Sequence, residues 1–230
     1  MLLNCRHGYS GMKTANDGAG TKAAYTTDVK PRVRDRILST ASELFFRRGI
    51  RGVGVEAIAA AAGSNKTSLY RHFHSKEELA AEYLREQIRE VWEHWEATIA
   101  PYQGSPRRQL EALFTAHLAK HRGARGCALG NVVMDIATDE HTLAGLVRGF
   151  KQEVRERLRK MAHELGARNA GALGDALMLL MEGSDFTGLV YRGRGGPTAS
   201  LTYAVDALID AHLPAVRHCS HPPPPTGEIN

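Results

Sequence analysis

The stretch Val55–Phe73, VEAIAAAAGSNKTSLYRHF, limits the possible folds of this chain more than any other. Val55, Ile58, Ala59 and Ala62 fall at i, i+3, i+4 and i+7, which lays one apolar stripe along a short helix. Gly63 suits the positive φ of a tight turn. Asn65 is a good N-cap, its side-chain oxygen able to accept the free amides near Thr67 and Ser68. In the second helix Leu69 and Phe73 turn inward at i and i+4, while Lys66, Thr67, Ser68, Tyr70, Arg71 and His72 face outward. All six can donate hydrogen bonds and none is a carboxylate. Two short helices, a glycine turn and a donor-rich second helix are what a helix-turn-helix needs to seat one helix in the DNA major groove.

Upstream, Val33, Ile37, Ala41, Leu44 and Phe45 repeat at helical spacing and predict a first helix over about Lys30–Arg48. Pro31 fits its first turn and Gly49 its stop. Downstream, Ser75 followed three residues later by Glu78 reads as a capping box. It opens a fourth helix expected to run to Ile99, before Pro101, with Leu84, Ile88, Val91, Trp92, Trp95 and Ile99 on one stripe. Such a helix would begin beside the helix-turn-helix and end in a second domain, as a lever between them.

The remainder reads as helix: Pro106–Arg122, an apolar segment Cys127–Ala137, an amphipathic stretch near His141–Leu165, then Ala167–Tyr191 and Thr198–Leu213. No strand-like alternation appears after residue 30, so the fold class is all-α. The expected organisation is a flexible extension over 1–29 and a three-helix DNA-binding domain over 30–76. A helical effector-binding and dimerisation domain over 77–215 and a flexible Pro-rich tail over 216–230 complete it.

The run Arg36–Leu79, with ILSTASELFFRRGIRG, VEAIAAAAG, SLYRHF and SKEEL, resembles the DNA-binding domain of the TetR/AcrR transcriptional regulators. Val53 and Gly54 stand where that family usually has Thr-Ser, Ser64 replaces a common valine and Thr67 a common glycine. Base reading is assigned to Lys66, Thr67, Ser68 and Arg71, and backbone contact to Tyr70, His72 and Lys76, with Arg51 and the capping Asn65 completing the set. The resemblance also implies that Arg32, Arg34 and Arg36 approach the phosphates.

Charge is unevenly placed. Residues 28–76 hold ten Lys/Arg against four Asp/Glu, and the chain beyond residue 76 is net negative although the whole carries +5. Basic character therefore belongs to the part expected to meet a polyanion. Cys5, Cys127 and Cys219 are odd in number and widely spaced, which argues against a disulfide framework, and Cys127 reads as a small buried residue. With no apolar run near the roughly 20 residues of a membrane span, a soluble cytoplasmic protein with no membrane partner is expected. Phosphate-binding, nucleophile-elbow and HExxH motifs are absent, so no enzyme activity and no cofactor are expected. His117 and His121 lack a third ligand, and His218, Cys219 and His221 lie on the tail; no metal is assigned to either group.

The resemblance implies an effector cavity after residue 80 and a four-helix bundle made by the last two helices with those of a second copy. Candidate lining residues are Trp92, Trp95, Phe114, His117, Asn131, Met134, Asp135, Met178, Glu182 and Phe186. Their apolar majority suits a hydrophobic or aromatic effector, and Asp135 or Glu182 a cationic one. Expected partners are thus a double-stranded DNA operator, an unknown small-molecule effector and a second copy of the chain. The alternative is a helical small-molecule-binding or interaction protein with a vestigial helix-turn-helix, favoured only by the missing hydroxyl at Val53-Gly54.

Overall fold

The computed structural model describes residues 32–120, 129–130, 132, 142–191 and 196–214. Asn131, Met134, Asp135, His121, the three cysteines and both termini lie outside them. Helix α1, Val33–Arg48, buries Ile37, Ala41 and Phe45 and stops at Gly49, whose φ of 75° still lets its amide bond the Phe45 carbonyl. Helices α2, Val55–Ala61, and α3, Lys66–His72, follow. Helix α4 runs Lys76–Ile99 and continues as a 3-10 turn, Ala100–Tyr102. Helices α5 (Pro106–Lys120), α6 (Thr142–Glu164), α7 (Ala170–Tyr191) and α8 (Leu201–His212) complete the described fold, α8 being preceded by a 3-10 turn over Pro197–Ser200. No strand occurs among the described residues.

Helices α1, α2 and α3 close over Ile37, Phe45, Val53, Ile58, Leu69 and Phe73, all buried. Val53, where the related pattern has a hydroxyl residue, is part of this core, and α2 forms although Gly54 brings no side-chain cap. Helix α4 joins the same core through Leu79 and Leu84, and its Tyr83 ring lies 5.7 Å from that of Phe45. Two arginines of α1 brace the unit from outside. Arg34 pairs with Glu82 at 3.4 Å and sits 4.9 Å over the Phe73 ring, and Arg36 Nε donates to the Ala62 carbonyl at 3.5 Å. Both are expected at DNA phosphates, and within the chain each also ties α1 to a later helix.

At 24 residues, α4 extends roughly 36 Å at about 1.5 Å per residue. Its far half meets α6, where the Arg157 guanidinium lies 4.0 Å over the Trp92 ring and bonds Glu96 and Glu153. Trp92 also packs against Phe150 at 5.2 Å. Helix α4 thus contacts α1 at one end and α6 at the other.

Helices α6 and α7 cross closely. A Cβ on Gly174 would lie 2.7 Å from the Arg159 backbone, so the small residues of α7 serve a contact within the chain as well as any between copies. Asp175, next to that glycine, receives Arg155 at 2.8 and 2.9 Å and Arg159 through its Nε at 2.7 Å. The sequence ran α7 back to Ala167, but the chain breaks there. Gly166 takes φ 80°, the Ala167 amide bonds the Ala162 carbonyl, and Asn169 caps the new helix through the Ala172 amide at 3.0 Å. The stripe read on α7 is divided: Leu173 and Leu177 are buried, Leu180 and Met181 partly so, while Phe186 and Leu189 face outward.

Candidate nucleic-acid interface

The turn between α2 and α3 is built from backbone geometry. Ala62 ends α2, Gly63 adopts φ 61°, the Ser64 amide bonds the Ala59 carbonyl at 2.9 Å and the Gly63 amide that of Ala60 at 3.1 Å. This pair of bonds satisfies the last carbonyls of α2 and needs a left-handed residue where glycine stands. Asn65 then turns the chain into α3, its side-chain oxygen 2.8 Å from the Ser68 amide. The Ser68 amide, one of those left without a helical partner at the start of α3, is thereby satisfied.

Leu69 and Phe73 are fully buried and anchor α3. On the other side Asn65, Lys66, Thr67, Tyr70 and Arg71 are exposed, and Ser68 and His72 partly so. Arg51, in the turn before α2, is exposed as well. Lys76 opens α4 and is partly buried, which lowers its pKa from the ordinary lysine value. The capping box at this point is offset by one residue. Ser75 Oγ accepts from the Glu78 amide at 3.0 Å, but the Glu78 carboxylate accepts from the His74 amide at 2.6 Å instead of from Ser75. These contacts orient the start of α4 beside the end of α3. The residues expected to face DNA thus lie on α3 and on the segments that flank it, each exposed or partly buried.

One residue on that surface was not anticipated. Glu56, in the first turn of α2, places its Oε1 2.6 Å from Lys66 Nζ. The lysine raises no barrier to ionisation of its partner: the hydrogen bond between them lowers the Glu56 pKa and raises that of Lys66. A carboxylate near the start of an uncapped helix was the signal available in the sequence, but its partner lies ten residues away.

The candidate effector residues are more dispersed. Trp95 and Phe114 are buried, Trp92 and Met178 partly buried, and Glu182 pairs with Lys151. Phe186 is 67% exposed. His117 on α5 meets α7: its Nε2 lies 3.0 Å from Ser184 Oγ and 3.1 Å from Asp185 Oδ1, with both acidic and imidazole side chains nearly buried. Ser184 and Asp185 converge on the same ring nitrogen, so the trio lacks the relay through opposite nitrogens that a Ser-His-Asp nucleophile requires. Ser184 and Asp185 went unread because they sit within an apolar helix and meet their partner 67 residues away.

Residues 37–83, which span this surface, match the family of bacterial regulatory proteins of the tetR type. These residues form a DNA-binding domain of the tetR family. The chain is 30% identical over 124 residues to the HTH-type transcriptional repressor DhaR of Mycobacterium sp. strain GP1, covering 54% of this chain and 62% of that protein. Over 82 residues it is 40% identical to the HTH-type transcriptional repressor KstR2 of Rhodococcus jostii, covering 36% and 40% of the two chains. The chain thus spans less than two thirds of either curated relative. The fold extends further: SCO4454, a TetR-family transcriptional regulator from Streptomyces coelicolor, superposes with a TM-score of 0.71 at 24% identity, covering 78% of this chain and 95% of that one. No helix among the described residues is long and apolar enough to cross a membrane.

Proposed function

We propose that this chain is a DNA-binding transcriptional regulator, a ligand-responsive repressor that reads a palindromic operator as a homodimer. The observation carrying this reading is the division of α3. Leu69 and Phe73 lock it to the core, and Lys66, Thr67, Tyr70 and Arg71 project together from its outer side. Residues 30–76 act as the reading head and 77–215 as the effector-binding and dimerisation part. Helix α2 forms although Gly54 brings no side-chain cap, which supports a working motif over a vestigial one. The relatives DhaR and KstR2 are both named repressors, which supports that sign of regulation.

Two recognition helices must stand about 34–36 Å apart, or at a multiple, to enter successive major grooves on one face of the duplex. An effector among α4, α5 and α7, with Trp92, Trp95, Phe114, His117, Met178 and Glu182 nearby, would act by favouring a different spacing, and α4 is the element that reaches from those residues to α1. The size of the response is bounded by the effector's differential affinity for the two spacings. The test is a gel shift with the DNA upstream of the protein's own gene against a scrambled duplex of equal length. Retarded migration of the first at protein concentrations that leave the second free is expected; equal retardation of both, or of neither, would sink the proposal.

A further inference from the structure

Between Glu43 and Glu77 the chain carries a single carboxylate, Glu56, among Arg47, Arg48, Arg51, Lys66, Arg71 and Lys76. It is aimed at the recognition helix, Oε1 to Lys66 Nζ 2.6 Å, with both side chains more than half exposed. The carboxylate also accepts from its own backbone amide in the first turn of α2. A negative group on a surface that is to approach a polyanion costs affinity, so its presence there calls for a compensating role.

Resting on the DNA-reading interface above, we propose that Glu56 is a specificity-determining residue, a built-in stand-in for a DNA phosphate that occupies Lys66 on non-cognate duplexes and aims it at a base on the cognate one. An ammonium has three N–H donors, so a Lys66 held by one bond to Glu56 keeps two. That is the number guanine accepts at O6 and N7 in the major groove. A backbone phosphate instead competes with Glu56 for the same charge, and exchanging one exposed anion for another gains little. The pair therefore subtracts from sequence-independent binding while leaving base reading intact.

The test uses the full-length protein, its Glu56→Gln, Lys66→Met and doubly substituted forms, a duplex that the wild type enriches from a randomised pool, and a scrambled duplex of the same composition. Binding is followed by fluorescence anisotropy across a range of salt. Glu56→Gln is expected to tighten binding to the scrambled duplex about tenfold and steepen the salt dependence by roughly one released ion per subunit, the worth of one added phosphate contact. The preference for the enriched duplex should fall accordingly, and none of this should occur when Lys66 is already methionine. An unchanged preference and salt slope would overturn the inference. So would an equal gain in the Lys66→Met background, which would reduce Glu56 to a bulk charge. A wild type that enriches no sequence would overturn the DNA-reading interface itself, and this inference with it, and that result is seen before any variant is compared.

Discussion

The Asn65 side-chain oxygen lies 2.8 Å from the Ser68 amide, so the helix that carries the DNA-facing residues begins at a defined point and in a defined direction. Alanine at position 65 would leave that amide to water and let the first turn fray. Asn65→Ala is expected to cost about 1 kcal/mol of stability, in the usual range for loss of an N-cap. Chemical denaturation with helical content as readout measures the loss, and operator affinity should drop with it because Lys66 and Thr67 sit in the frayed turn. A variant as stable as the wild type would show that core packing alone positions α3.

Arg71 and Lys76 separate base reading from backbone contact. Arg71 is exposed on the outer side of α3, whereas Lys76 is partly buried where α4 begins. If Arg71 reads a guanine, Arg71→Ala should cost about 1–3 kcal/mol on the operator and relax the requirement at one position; Lys76→Ala should weaken binding to all duplexes and lower the salt slope by about one. Titrations on operator and scrambled DNA distinguish the two, and equal losses on both for both variants would remove the assignment.

What could be read from sequence follows from the range over which each residue acts. Gly63, Asn65 and Ser75 discharge their roles within five residues, through turn and cap bonds, and the chain order alone places them. The apolar stripes of α1 and α4 were legible for the same reason: period decides which side is buried. Polar partners set by packing were not. Glu56 meets Lys66 across a turn, Arg34 meets Glu82 across 48 residues, and His117 meets Ser184 across 67. Apolar residues on α7 were legible as apolar but not as inward or outward, because the helix is hydrophobic on more than one side and period gives no answer there.

Asp175 makes the α6–α7 crossing sensitive to acid. Hydrogen bonds from Arg155 and then Arg159 hold its pKa far below the ordinary carboxylate value. A group whose pKa is depressed on folding contributes stability that is full above its unfolded value, about 3.9, and is lost as pH falls from there toward the folded value. Asp175→Asn should therefore lower the thermal midpoint at pH 7, and the gap to the wild type should close as the pH is taken below 3.9. With the carboxylate about one third exposed, the gap should also shrink in high salt. A gap that persists unchanged at pH 2 would assign the loss to packing beside Gly174 and not to charge.

Leu179, Phe186 and Val190 stand on one side of α7, 72%, 67% and 63% exposed, and Tyr203 of α8 is 76% exposed. Large apolar groups left in water along one helix side mark an interface. Covering them with the same helices of a second copy gives a twofold contact, in which each residue is used twice. Phe186→Glu combined with Tyr203→Glu should convert a dimer to a monomer at micromolar concentration, read by sedimentation velocity, with helical content unchanged because neither side chain supports the core. Operator affinity should then fall about 10²–10⁴-fold, since the second half-site is no longer reached at high effective concentration. A doubly substituted protein that still sediments as a dimer would place the interface elsewhere, and with it the spacing of the two recognition helices.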